Sequence, residues 1–399
     1  MTQELQKSEK IIESLLKVND TTDIKEIETA FDNLLFVPDI SVKPFVIETY
    51  LEYIQSKLQI PDYKLKVFIA YYDGKPFGIV LSDLSPEYKS YGRKCGTFGW
   101  LYVKNFDTCK HLLRNCELFI KEHKFRKMRG PFNYPKNKMG FGLQVEGFNE
   151  QLLYGVGFDD PFSELSTYLE RLGYIPESEY TCLRVDEESW KRGNYLDNSL
   201  KLCCVTQDEL LEKVDDIIDL AISSFSSLLP DTSGGGRENL LEVIKLAINA
   251  PKSHFRFHDP RDMFKKYSHI PEFIEAWEEA DLENMVTMFP MAIERRTGKL
   301  IGLLIGLYDY YQYWRGEYIT RINVHTAMVR KGYNGKGVFS SLNNFGQATN
   351  RSMRSLTYYE GTAVWTGNSK GVNNQKAVNS IFPHCTPIRK HIVYEKRIR

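Results

Sequence analysis

Apolar and polar positions alternate along the chain in two runs that repeat one order of elements. Residues 67–84 and 290–309 each place apolar stretches on both sides of a Gly-Lys turn, at Gly74-Lys75 and Gly298-Lys299. Such runs around a glycine turn predict β-hairpins. Each hairpin carries a further glycine three residues after the lysine, Gly78 and Gly302. Helical spacing precedes both, over 24–35 and 43–58 in the first run and over 208–229 and 239–248 in the second. After each hairpin comes a strand (95–103; 319–329), a helix (108–123; 338–351) and another strand (127–130; 356–364). A further helix (163–172; 371–382) and a last strand (180–185; 391–396) complete each run. The pattern predicts two copies of one α/β unit of roughly 180–200 residues, each with a mixed, mostly antiparallel sheet flanked by helices. A polar stretch over 190–198 marks the junction, so the expected domains are 1–195 and 196–399.

The second run contains the strongest local signal. Its strand ends at Val329, and Gly332-Tyr333-Asn334-Gly335-Lys336-Gly337 leads into a helix with Val338, Phe339, Leu342 and Phe345 at helical spacing. Glycines let successive backbone N–H groups face one point, and a helix N-terminus adds partial positive charge. Together they make a seat for phosphate, to which Arg330 and Lys336 would add charge. A tight connection without a ligand is the competing reading. A Rossmann fingerprint does not fit, because Ser340 stands where its third glycine belongs and about 60 residues remain. No Ser or Thr follows the lysine, which excludes a Walker loop. The first run reads Val103-Lys104-Asn105-Phe106-Asp107 at the matching place, with no glycine turn. One phosphate seat is therefore expected, in the second half.

Composition narrows the setting. The 399 residues carry 52 Lys+Arg against 52 Asp+Glu, so no basic field calls for nucleic acid or an anionic membrane. Seven cysteines stand at irregular spacing with no C-x-x-C pair, which suits reduced thiols in the cytoplasm. Eight histidines form no metal-binding pattern, so no metal site is expected. The first 18 residues lack a signal-peptide apolar region, and the longest apolar stretch, 300–308, is far too short to span a bilayer.

The order hairpin, strand, glycine turn, helix, strand, helix, strand resembles the GNAT superfamily of acyl-CoA-dependent N-acyltransferases. Gly332-x-x-Gly335-x-Gly337 resembles their [QR]-x-x-G-x-[GA] signature, with Gly332 in place of Gln or Arg. Asn374-x-x-Ala377 resembles their N-x-x-A motif, with Ile381 where a tyrosine usually follows. Residues 128–133, with Gly130-Pro131-Phe132-Asn133, and Gly142 through Glu146-Gly147-Phe148 are similar to segments of two-domain GNAT-like proteins, as is Val393-Tyr394-Glu395-Lys396. The resemblance implies a tandem GNAT pair packed as a pseudo-dimer. It implies acetyl-CoA or a longer acyl-CoA, with the pyrophosphate on Gly332, Asn334, Gly335, Lys336, Gly337 and Val338, and with Asn374 nearby. It also implies a fourth strand splayed from the fifth, so that Ala327, Met328 and Val329 face the thioester and pantetheine.

Transfer to an amine needs a base for its proton and an acid for the leaving thiolate. His325, on the fourth strand, and Glu360, on its neighbour, are the candidate bases. Tyr358 and Tyr359 are candidate acids in place of the missing tyrosine. The expected acceptor is a small amine, an amino acid or a peptide amine. A non-catalytic acyl-CoA-binding or scaffold protein is the alternative. The aromatic run from Tyr308 to Trp314, the glycine-rich loop 232–236 and the basic loop 133–142 are secondary candidates for a cleft, a lid and an interface.

Overall fold

The computed structural model describes residues 16–133, 140–149, 160–186, 195–224, 231, 237–249, 260–350, 356–366, 379 and 384–398. The first half carries β1 (Lys17–Thr21), β2 (Lys64–Tyr72), β3 (Lys75–Leu84), β4 (Lys89–Ser90), β5 (Arg93–Lys94) and β6 (Gly96–Val103). It continues with β7 (Lys127–Gly130), β8 (Phe132–Asn133), β9 (Gly140–Phe141), β10 (Leu143–Glu146) and β11 (Ile175–Asp186). The second half carries β12 (Leu200–Cys203), β13 (Met291–Glu294), β14 (Leu300–Tyr308), β15 (Arg321–Val329), β16 (Tyr358–Trp365) and β17 (Thr386–Arg397). The chain forms two compact units, Met1–Tyr180 with Lys390–Arg399, and Thr181–Arg389.

In the first unit the strands lie in the order β1-β2-β3-β6-β7-β17. All these pairs are antiparallel except β6 with β7. The β2–β3 turn puts Asp73 and Gly74 at φ +50° and +72°, the left-handed pair that a two-residue hairpin needs. Helix Ile24–Leu34 is capped by the Asp23 carboxylate, and helix Phe106–Glu122 by Asn105. The long helix buries Cys109, Leu112, Leu113, Cys116, Phe119 and Ile120, which pack with Phe68, Val80, Phe98 and Met128 of the sheet.

The second unit repeats this order as β12-β13-β14-β15-β16-β11. Its antiparallel pairs run from β12 to β15, and β15 pairs with β16 in parallel. The helix expected over 208–229 is two helices among the described residues, Gln207–Glu212 and Val214–Ser224. Lys213 closes the first by donating its N–H to the carbonyls of Glu209 and Leu210. Trp277, Phe273, Phe345, Leu342, Leu304 and Ile301 form the centre of its core.

The two hairpin glycines have one job. A Cβ on Gly78 would lie 2.4 Å from Thr108 Cγ2 and 2.9 Å from Leu112 Cδ1. A Cβ on Gly302 would lie 2.5 Å from Val338 Cγ1 and 2.8 Å from Leu342 Cδ1. Their strand partners also match, Gly78 opposite Val103 and Gly302 opposite Val329. In both units a glycine lets the following helix press onto the third strand of the repeat.

The last strands depart from the sequence reading, which keeps each in its own half. β17 enters the first unit at Lys390 and lies beside β7, while β11 enters the second unit at Thr181 and lies next to β16 in the strand order. The compact units therefore differ from the halves 1–195 and 196–399. Side chains far apart in sequence select this pairing. Arg129, fully buried, reaches Glu395 Oε2 and Glu177 Oε2, both at 2.6 Å, and Ser178 Oγ at 2.7 Å. Lys396 reaches Glu117 at 2.8 Å. Met128, Arg129 and Gly130, leading into Pro131, thus meet Tyr394, Glu395 and Lys396 as neighbouring strands. Among the described residues no helix is long and apolar enough to cross a membrane, and no cluster of metal-ligating side chains occurs. All seven cysteines are free thiols.

Candidate functional site

β15 is the strand on which the site is built. It pairs with β14 from Ile322, opposite Tyr308, to Val329, opposite Gly302. The register slips between Ile305 and Gly306, which face Thr326 and Val324, so His325 is the extra residue of a β-bulge. On its other side β15 pairs with β16 only from Arg321–Tyr358 to Val324–Gly361. β16 continues to Trp365 without pairing the rest of β15. The two strands splay, and from Thr326 to Val329 β15 pairs with no strand on that side among the described residues, although Val329 O there accepts a hydrogen bond from Ser224 Oγ at 3.0 Å. Val324, His325, Thr326 and Ala327 are half-buried, in line with a cleft there.

The turn after β15 meets this open edge. Gly332, Gly335 and Gly337 have φ of +95°, +79° and +74°. That region strains any residue with a side chain. A Cβ on Gly332 or Gly335 would touch nothing within 4 Å, so the backbone conformation requires the glycines and the space beside them is open. Among the described residues the N–H groups of Asn334, Gly335 and Gly337 have no acceptor. The Lys336 N–H is partly spent on Tyr333 O at 3.4 Å. Unspent donors beside a helix start favour an anion. One expectation, that Arg330 adds charge to the seat, needs correction here. Arg330 is buried and turned into the fold, where it holds Asp219 at 2.7 Å and Leu300 O at 3.0 Å. Lys336 leans over the Tyr333 ring, 5.0 Å from its centroid, and lies 3.9 Å from Asp197.

The candidate acid and base groups fare differently. His325 is half-buried on the bulge, beside Ala327–Val329 as expected. Glu360 is not a solvent-facing strand end. It is fully buried, opposite Asn323, and its Oε1 is ion-paired to the fully buried Arg389. Among the described residues its Oε2 has no hydrogen-bond partner. Tyr359 is also committed, since its hydroxyl donates to Gln347 O at 2.8 Å. Tyr358 opens β16, and its side chain lies outside the described residues, as do Asn374 and Ile381. The loops 232–236 and 134–139 lie outside them too. The aromatic run forms the end of β14 and a short helix, Tyr310–Trp314, capped by Asp309. Asp309 is buried and holds Arg321 Nε at 2.9 Å. Burial pushes its carboxyl up to about 6 against the pull of Arg321. Sequence reasoning missed Arg389 and Arg321, whose partners lie 29 and 12 residues away and leave no local pattern.

No protein-family model and no curated protein sequence matches the chain. Solved structures do. A GCN5-related glucosamine N-acetyltransferase region of a fungal multi-domain GH3 β-N-acetylglucosaminidase aligns over 96% of this chain, at 12% identity and TM-score 0.54. The match spans 38% of that longer chain. A conserved Enterococcus faecalis protein of unknown function, described as a probable N-acyltransferase, aligns over 96% of this chain and 72% of its own, at 11% identity and TM-score 0.51. The chain has the GNAT fold. At such identities the likeness speaks for the fold alone.

The two GNAT units differ at the splay. In the first, β6 pairs with β7 only at Gly96–Met128 and Thr97–Arg129. The chain that follows β7 then lies against β6. Asn133 Oδ1 accepts the Trp100 N–H at 2.6 Å, and a Cβ on Gly99 would sit 1.7 Å from Phe132 O. Trp100 is fully buried at the bulge of this strand, with φ +47°. No glycine turn follows, because helix Phe106–Glu122 starts three residues after Val103, with Asn105 Oδ1 accepting the Thr108 N–H at 2.9 Å. Both the open edge and the free amides of the second unit are thus closed in the first.

Proposed function

We propose that the second unit binds an acyl-CoA and transfers its acyl group to an amine, and that the first unit binds no coenzyme. The reading rests on one contrast above all. Among the described residues the second unit leaves β15 from Thr326 to Val329 without a strand partner on one side and the amides of Asn334, Gly335 and Gly337 without an acceptor, whereas the first fills the same places with its own Asn133, Phe132 and Asn105. The pyrophosphate would lie on the N–H groups of Asn334, Gly335, Gly337 and Val338, with Lys336 close by. The Ala327, Met328 and Val329 backbone would face the thioester, where an N–H aimed at the developing oxyanion stabilises it by a few kcal/mol. His325, on the bulge, would take the proton of the attacking amine as nitrogen bonds to the thioester carbon and the carbon–sulfur bond breaks. Water supplies the thiolate's proton. Direct attack is favoured over an acyl-cysteine, because burial pushes the thiols of Cys109 and Cys203 up to about 12 and 11, and those of Cys116 and Cys204 higher. The acceptor class we propose is a small amine, amino acid or peptide amine, in the cytoplasm.

Isothermal titration with coenzyme A tests the reading. One site per chain is expected, abolished by Gly335→Val, whose side chain would enter the space that the phosphate needs. Two sites, or unchanged binding in the variant, would overturn it. In an acetyl-CoA turnover assay His325→Ala should lower kcat by about 10²-fold or more while leaving coenzyme affinity unchanged. A second reading, acyl-CoA binding without catalysis, is favoured by the committed states of Glu360 and Tyr359. Coenzyme binding without turnover on any amine would select it.

A further inference from the structure

A groove of about 1250 Å³ lies in the first unit, at the end of helix Phe106–Glu122 and the starts and ends of the strands beside it. Its walls carry Lys121, Lys124, Arg126, Lys396 and Arg397 against one acid, Glu117. Glu117 is already spent, since its Oε1 holds Lys396 Nζ at 2.8 Å and accepts the Tyr174 hydroxyl at 2.9 Å. Among the described residues Lys121, Lys124, Arg126 and Arg397 are exposed and have no acidic partner. In a chain with zero formal net charge, four unpaired cations around one groove are a local concentration that the composition does not predict. The backbone holds one of them in an uncommon state. Lys124 has φ +65°, at a helix end where glycine is the usual residue. Its N–H bonds Lys121 O at 2.9 Å, and Phe125 N–H bonds Ile120 O at 3.2 Å. Half-buried Phe125 and buried Ile398 add apolar surface to the lining.

We propose that this groove binds an acidic peptide segment of a partner protein, with carboxylates on Lys121, Lys124, Arg126 and Arg397 and an apolar side chain against Phe125 and Ile398. The groove exceeds the ~300–1000 Å³ of small-molecule pockets, which favours an extended ligand. Phe125 is the one aromatic among the groove's lining residues, so successive nucleobases would find no run of rings on which to stack. β7 already has β6 and β17 on its two sides, so the ligand is held by side-chain charge and not by adding a strand at β7. The site is independent of the coenzyme reading, and either can fail without the other.

Fluorescence anisotropy with a labelled glutamate-rich peptide carrying one leucine tests it, using the full chain at low and physiological ionic strength. Saturable binding that weakens with salt is expected. The double variant Lys124→Glu/Arg126→Glu should weaken it about tenfold, because two attractions become repulsions at exposed sites. Reversal of Lys75 and Lys104, exposed at the opposite end of β3 and β6, should leave it within about twofold. Thermal melts check that both variants fold. Equal losses in the two double variants, or no saturable binding at low salt, overturn the proposal. Tighter binding of a single-stranded oligonucleotide of equal charge, or full displacement by inorganic phosphate at equal charge concentration, overturns the peptide assignment.

Discussion

Replacing Glu360 by glutamine separates a structural role from a catalytic one. Glu360 and Arg389 are both fully buried, and Oε1 of the first meets the guanidinium of the second. Removing one partner of a buried ion pair costs about 3–5 kcal/mol, because the other charge stays in a low-dielectric interior. Glutamine keeps an acceptor oxygen, so the lower end applies, about 3 kcal/mol. With a urea slope of about 3 kcal/mol/M, the unfolding midpoint should fall by roughly 1 M. Circular dichroism and tryptophan fluorescence should be followed together, because a chain of two units need not unfold in one step. Arg389→Met should cost a similar amount. Glu360→Gln/Arg389→Met should cost clearly less than the sum, with a coupling of about 1.5 kcal/mol or more. Below the midpoint, turnover per folded molecule should stay within about threefold of wild type, since general-base loss would cost about 10²-fold or more. An unmoved midpoint or additive single variants would refute the buried-pair argument. A hundredfold loss of turnover at full stability would return Glu360 to the role of base.

Gly78→Ala and Gly302→Ala should each destabilise by about 1–3 kcal/mol in urea melts, because each Cβ lands within 2.4–2.5 Å of a helix methyl. Val338→Ala should relieve part of the Gly302→Ala cost, and a neutral Gly302→Ala would contradict the close packing. A carbon-detected NMR titration should place the Asp309 carboxyl midpoint near 6. Its native value is raised from 3.8, so the stability it contributes is fully present below about pH 4 and is lost as pH rises through 6. An Asp309 midpoint below 4 would show that Arg321 outweighs burial.

The repeat was legible in the sequence because its signals are local. Glycine turns at Gly74 and Gly298 and helical spacing from Val338 act over a few residues, and most elements among the described residues formed close to where the pattern put them. The helix expected over 208–229 is two, and the one expected over 371–382 lies, but for 379, outside the described residues. The glycine turn was legible for the same reason, since Gly332, Gly335 and Gly337 are needed by their own backbone angles. The splay of β15 from β16 followed only from the family resemblance, and no pattern in either strand encodes it. What tertiary structure alone decided depends on partners distant in the chain. Arg129 selects Glu395 across 266 residues, which puts the last strand of the chain in the first unit. Glu360 becomes an ion pair because Arg389 is brought to it, and the first unit's cleft closes because Asn133 reaches the Trp100 N–H 33 residues away. Periodicity records which face of an element is buried. It does not record which charged or polar group waits there, because that pairing is settled only when the strands have found their order.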